Sequence, residues 1–219
     1  MGHPFARYAL RTTDATAAAT FYDAVLGHRG DAIFPLHEQA LARGARPHWL
    51  GHVDAPDAEA AATTLLARGA QRLGPGPGGT VVLREPGGAL LALGGVTGPS
   101  TAGVAWHVLR TPDAEAAAAM YADLFGWSLR DAVDLGATGR FRLFAWGDGE
   151  APTGAIGGIT PGVHPQWLFF FHVASVARAM EQVTAKGGAV ASTNALPDGR
   201  SAAVCDDPQG AAFGLIDGP

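Results

Sequence analysis

Residues Phe5–His28, FARYALRTTDATAAATFYDAVLGH, lie over Val104–Trp127, VAWHVLRTPDAEAAAAMYADLFGW, without a gap. Leu10, Arg11, Thr12, Asp14, Tyr22 and Gly27 fall on Leu109, Arg110, Thr111, Asp113, Tyr121 and Gly126. A second pair, HWLGHVDAPDAEAAATTLLARGA from His48 and QWLFFFHVASVARAMEQVTAKGG from Gln166, aligns through Trp49/Trp167 and Gly69/Gly187. REPGGALLAL (84–93) then matches DDPQGAAFGL (206–215). Self-similarity sustained over such lengths marks an internal duplication. It predicts two halves, 1–95 and 102–219, that superpose module on module and meet in the Gly/Pro/Ser/Thr-rich stretch Gly94–Gly103.

Each repeat opens with a short apolar run, passes into a helix and continues as short segments punctuated by turns. In the third repeat, Thr111-Pro112-Asp113 supplies a cap and a proline near the helix start, the alanines favour helix, and Gly126 ends it. Met120, Tyr121, Leu124 and Phe125 share one face by three- and four-residue spacing, the pattern of a helix packed on a sheet. After it, FRLFAW (141–146) and TGAIGGI (153–159) read as short strands. The class is therefore α+β, with a module of strand, helix and several strands repeated four times. The segment of the first module at about Asp31 to Arg46 is too short for the full set.

Composition narrows the function. The 219 residues carry 15 basic and 20 acidic side chains, net charge -5, with no basic cluster, so no phosphate-neutralising surface for nucleic acid is present. Gly 31 and Pro 15 together stay below the share of about 25–30% typical of low-complexity chains, and 47% hydrophobic residues can fill a core. The longest strongly apolar run, WLFFF at 167–171, is far shorter than the ~20 residues that span a bilayer. One cysteine, Cys205, cannot close an intrachain disulfide, and the expected location is the cytoplasm. No G-x-S-x-G or G-x-x-x-x-G-K-[ST] occurs, and no G-x-G-x-x-G follows a strand in a βαβ context. GPGPGG (74–79) reads as a turn, because its prolines lack the N–H donors of a phosphate cradle.

The strings T-x-D-x-x-x-A-x-x-[FM]-Y-x-x-[LV]-[FL]-G, VASVARAMEQVTAKGG (173–188) and DPQGAAFGL (207–215) resemble the vicinal oxygen chelate superfamily of glyoxalase I, bleomycin-resistance proteins and extradiol dioxygenases. The closing DPQGAAFGL and the pair Trp106/Trp167 resemble its two-domain glyoxalase-like branch. The resemblance covers nearly the whole chain and implies four βαβββ modules forming two cup-shaped domains, each cup holding a metal or a small molecule. It also implies where metal ligands would stand. Seven residues before the Asp that opens an odd module's helix are Arg7 and Trp106; just after the Trp of the even modules are Leu50 and Leu168; seven past the acidic residue of the closing turn are Ala92 and Gly214. None is a metal donor. The expectation is a chain without the family's metal and without another cofactor.

Other polar residues offer the elements of a different site. Strand alternation places His48, Leu50, His52 and Asp54 on one face; His52 and Asp54 alone are close enough to share an ion, and two donors make a weak site. His107 is off the ligand position by one residue and is expected as a hydrogen-bonded core histidine. Cys205, in the apolar run SAAVC, is expected to be structural. The cup of the second half is expected to be lined by Trp106, Val108, Arg110, Leu168, Phe170, His172 and Gly214, with Phe169 and Phe171 in the core. Arg110 can grip a carboxylate through paired hydrogen bonds, as the corresponding Arg of glyoxalase I is implied to do, or hold a neighbouring Asp. The expected function is metal-free binding of a small organic molecule by a monomer or homodimer. The alternative is an enzyme on a small substrate, by acid–base chemistry at His172 or His52 or by an unorthodox His/Asp metal site.

Overall fold

The computed structural model describes residues 2–27, 32–75, 79–94, 100, 102–196 and 199–218. Most of the expected linker Gly94–Gly103, the middle of the GPGPGG turn and the start of the Asp31–Arg46 segment lie outside the described residues. The first module comprises β1 (Phe5–Thr12), α1 (Ala15–Leu26), β2 (Ile33–Pro35) and a five-residue helix α2 (Glu38–Ala42). The second comprises β3 (His48–Val53), α3 (Ala58–Ala67), β4 (Gln71–Pro75), β5 (Val81–Arg84) and β6 (Leu90–Leu93). The third runs through β7 (Val104–Thr111), α4 (Ala114–Phe125), β8 (Ser128–Asp134), β9 (Arg140–Ala145) and β10 (Gly154–Gly158). The fourth runs through β11 (Gln166–Val173), α5 (Val176–Ala185), β12 (Ala189–Ala195), β13 (Ser201–Asp206) and β14 (Ala212–Asp217).

The helix boundaries follow from the residues that suggested them. Asp14 and Asp113 stand in extended backbone and accept from the N–H groups of Ala17 at 2.9 Å and Ala116 at 3.0 Å, satisfying a donor that each first turn leaves open. Gly27 and Gly126 close the same helices in the left-handed region, at φ 72 and 67, where a side chain would be strained. Their N–H groups donate to Asp23 and Ala122, four residues back. Tyr22 and Tyr121 sit at matching places on the buried faces.

The chain is α+β, with two mixed sheets in the orders β2-β1-β3-β6-β5-β4 and β12-β13-β14-β11-β7-β10-β9-β8. Each full module repeats one topology. Its first strand pairs in parallel with its last, as β3 with β6, β7 with β10 and β11 with β14, and its other described pairings are antiparallel. The first module is cut down to β1 pairing in parallel with the three-residue β2, so one sheet has six strands and the other eight.

Contacts gather the chain into two compact units: unit 1 is Met1–Arg7, Gly51–Gly98 and His107–Trp167; unit 2 is Tyr8–Leu50, Pro99–Trp106 and Leu168–Pro219. Each unit draws on both halves of the sequence, the second and third modules supplying most of unit 1, the first and fourth most of unit 2. In unit 1, Trp127 is stacked between Tyr121 at 4.7 Å and Phe144 at 4.6 Å, while Trp167 meets Tyr121 and Phe5 edge-on. Trp127 Nε1–H donates to the His3 carbonyl at 2.7 Å, a necessary bond for a buried indole. In unit 2, Phe21, Tyr22, Trp49 and Phe213 pack edge to face, and Phe171 meets Trp49 at a tilt.

Candidate functional site

Strand β7 carries a buried charge, Arg110, in unit 1. Its residues alternate, so His107, Leu109 and Thr111 are buried on one face while Val108 and Arg110 point to the other. Register then builds a row across three strands. Arg110 pairs with Gly157 of β10, and Gly157 pairs with Phe141 of β9. A Cβ at Gly157 would come within 2.4 Å of the Phe141 ring, so the absent side chain lets that ring lie flat over the backbone. The Arg110 guanidinium stands 5.0 Å from the ring centroid, a cation–π distance. Its Nη1–H donates to the Thr138 carbonyl at 3.4 Å.

Arg110 is 6% exposed, and no carboxylate lies against it among the described residues. Burial pushes its pKa below the ordinary arginine value, but the group remains a cation at any working pH. A guanidinium has five N–H donors, of which a single long bond uses one. The arrangement is a buried cation with spare donors, one aromatic wall and a side-chain-free strip of backbone at Gly157.

Unit 2 contains the other five residues expected to line the cup. Trp106 is half-buried, Leu168, Phe170 and Gly214 are buried, and His172 is exposed. Phe170 of β11 pairs directly with Gly214 of β14, and a Cβ at Gly214 would fall 2.3 Å from its ring. This repeats the Phe141–Gly157 relationship in another module. Val108 and Arg110 belong to unit 1. The sequence reading missed Phe141 and Gly157; the paired glycines of TGAIGGI, beside the strand that carries Arg110, were the signal. Phe169 and Phe171 are fully buried, as expected of core residues.

His107, Cys205 and the buried acids Glu85 and Asp207 serve structure. His107 is 3% exposed, its Nδ1–H donates to the Thr153 carbonyl at 2.9 Å, and its ring stacks on Phe5; burial pushes its pKa down to about 4, so it is neutral. Cys205 is buried, and burial raises its thiol to about 12, with Asp206 adding to the effect. Glu85 accepts from Gly87 and Ala89 N–H groups at 2.7 and 2.9 Å, and Asp207 accepts from Gln209 and Ala211, both at 2.9 Å. These two carboxyls pin the turns that open the closing strands, and burial is the main cause raising the pKa of each. A separate cleft of unit 1, about 270 Å³, lies between the start of α3 and the end of α4, with His3, Asp57 and Thr64 as its polar lining.

The metal implied by the sequence resemblance does not fit the side chains present. Zinc, iron or manganese sites use three or more N, O or S donors. The implied positions hold Arg7, Trp106, Leu50, Leu168, Ala92 and Gly214. Leu50, Leu168 and Ala92 are buried aliphatics, and Arg7 brings a positive charge. At Gly214 the volume a ligating carboxylate would need is filled by the Phe170 ring. His52 is buried at the end of β3 with Asp54 just beyond it, and among the described residues no group of three or more His, Cys, Asp or Glu gathers as ion ligands do.

With this geometry in place, the class of protein is defined by fold and by comparison. Residues 103–215 match the Glyoxalase/Bleomycin resistance protein/Dioxygenase superfamily, and the chain belongs to that superfamily. A protein of Mycobacterium tuberculosis called "Putative glyoxylase CFP32" is 26% identical to this chain over 94% of its length and 92% of the relative's. Among solved structures, BphC, a halotolerant catechol dioxygenase, superposes with a TM-score of 0.64 at 14% identity, covering 100% of this chain and 87% of that one. The Mn(II)-bound glyoxalase of Novosphingobium aromaticivorans superposes with a TM-score of 0.62 at 13% identity, covering 99% of this chain and 83% of that one. At these identities the structures establish the fold alone. The superfamily suggests a small-molecule ligand. No helix of the described residues is long and apolar enough to cross a membrane.

Proposed function

We propose that this chain binds a small carboxylate-bearing organic molecule, without the family's metal, and that Arg110 is its anion anchor. The observation that carries the reading is the buried Arg110 guanidinium, which has one long backbone hydrogen bond, an aromatic wall and no carboxylate beside it among the described residues. A desolvated cation is costly unless paired, and a site that stays unpaired within the chain is ready to be paired by a ligand. The planar fork suits the two oxygens of a carboxylate, Phe141 holds the guanidinium at a cation–π distance, and Val108 adds an apolar contact. Trp106, Leu168, Phe170, His172 and Gly214 stand in this reading as ligand contacts of unit 2, each tested by its own substitution. The same proposal takes 1–95 and 102–219 as the duplicated halves and places a monomer or homodimer in the cytoplasm, in keeping with the buried free thiol of Cys205.

The experiment is calorimetric titration of the untagged protein with a panel of aromatic and aliphatic carboxylates, each matched to its neutral amide, following a thermal-shift screen. For a carboxylate that binds, Arg110→Ala weakens binding by about 1.5–3 kcal/mol, the range for hydrogen bonds to a charged group, and leaves the amide nearly unaffected. Equal losses for acid and amide, or no loss for either, would overturn the assignment of Arg110.

A further inference from the structure

We infer that Phe170 and Gly214 form a ring-over-glycine plug that closes the family's metal position in unit 2 and leaves an apolar floor there. This goes beyond the ligand reading of Arg110, which lies in unit 1 and does not depend on it. Three implied metal positions, Trp106, Leu168 and Gly214, belong to unit 2. The first two carry an indole and an isobutyl group in place of donors. The third has no side chain at all, and the structure gives the reason. Phe170 and Gly214 are direct partners on neighbouring parallel strands, so their side chains would share one face. An added Cβ at position 214 would stand 2.3 Å from Phe170 Cγ and Cδ1 and 2.6 Å from Cδ2, distances no real Cβ tolerates. Phe170 is only 7% exposed, so its ring cannot yield to an added Cβ without repacking of its surroundings.

Phe170 therefore occupies the volume into which a carboxylate at 214 would project. Losing donors by substitution could be reversed by restoring them; a filled volume cannot. Glycine at 214 and phenylalanine at 170 depend on each other: the ring needs the glycine, and the glycine's missing side chain is replaced as packing by the ring. The surface so formed suits an aromatic or aliphatic group rather than a cation.

Two measurements test this. Gly214→Ala should lower the denaturation midpoint in the native background and leave it nearly unchanged in a Phe170→Ala background, a coupling that a glycine retained for other reasons would not show. Second, Trp106→His with Leu168→His and Gly214→Glu should bind no stoichiometric Ni(II) or Mn(II) by elemental analysis after gel filtration, whereas adding Phe170→Ala should give one equivalent. The inference is overturned if Gly214→Ala costs the same in both backgrounds, or if the grafted protein holds one ion with Phe170 still in place. It is also overturned if the untagged native protein carries stoichiometric zinc, iron, manganese or nickel that Trp106→Ala or Leu168→Ala removes. Should the grafted proteins fail to fold, the Gly214/Phe170 pair decides the matter alone.

Discussion

Trp49 donates its indole N–H to the phenolic oxygen of Tyr22 at 2.9 Å, and Trp167 donates to Tyr121 at 3.0 Å, so the duplication has kept one hydrogen bond in each compact unit. Tyr22 passes the chain onward, donating to Asp207 at 3.2 Å. Asp207 belongs to the fourth module and Tyr22 to the first, so this short network joins the two ends of the sequence within unit 2. In unit 1 the buried carboxyl Glu85 acts on Tyr121 through space, raising its pKa further beyond the effect of burial.

Removing the Tyr22 hydroxyl therefore strands two buried partners, the Trp49 N–H and one Asp207 oxygen. Tyr22→Phe should cost about 1–3 kcal/mol of stability, the range for leaving buried polar groups unsatisfied, with urea unfolding as the measure. Tyr121→Phe, which strands the Trp167 N–H, should cost less. Equal stabilities of all three proteins would show that the paired bonds contribute nothing net.

Acid should act through His107. Its folded pKa, pushed down to about 4 from 6.5 chiefly by burial, lies below the unfolded value. The unfolded chain thus takes up the proton first on acidification, and the stability present above pH 6.5 is lost as pH falls toward 4. The linked free energy is about 3 kcal/mol. Glu85 and Asp207 run the other way: burial raises their folded pKa, so their contribution is present at acid pH and is lost as pH rises through the folded value. The difference between the native protein and His107→Gln isolates the histidine. Urea midpoints measured from pH 7 to 4 should fall more steeply for the native protein, and parallel slopes would refute the assignment.

The fold was legible because Asp14, Tyr22 and Gly27 have counterparts at Asp113, Tyr121 and Gly126, and local chemistry of caps and apolar spacing repeats with them. The shortened first module was legible for the same reason, since the residues after Gly27 are too few for three strands. What depended on distance along the chain was hidden. Nothing near Tyr22 points to Asp207, and the closing turns read as strand openers without showing that Glu85 and Asp207 turn back onto backbone N–H groups. The site was half visible for a related reason. Arg110 stood out as a charge among apolar neighbours, but Phe141 and Gly157 join it only through sheet register, and glycine in a strand carries no chemistry of its own to mark it.

That register makes Gly157 testable. Gly157→Ala places a methyl where the Phe141 ring now lies, so the ring must move off its seat beside Arg110. Overpacking of this kind costs about 1–3 kcal/mol. Affinity for a carboxylate ligand should fall with it, whereas Gly158→Ala, whose added Cβ would meet no atom within 4 Å, should leave both stability and binding near native. If Gly157→Ala binds normally, Phe141 is not part of the ligand's surroundings.

Arg110 itself should set stability against function. A buried cation without a carboxylate gives up hydration and recovers part of it from one carbonyl and one ring. Arg110→Met keeps much of the aliphatic volume and removes the charge, so the ligand-free variant should be more stable than the native protein by about 1 kcal/mol, as when buried charges yield to apolar side chains. A bound carboxylate should reverse the order, because it stabilises the native protein by RT ln(1 + [L]/Kd), about 2.7 kcal/mol at a hundred times Kd, and has no cation to grip in the variant. Thermal unfolding of both proteins with and without the carboxylate selected by titration reads the crossing directly. A variant less stable than the native protein in the absence of ligand would mean that Arg110 is already well satisfied within the chain, and would remove the reason for expecting an anion at its side.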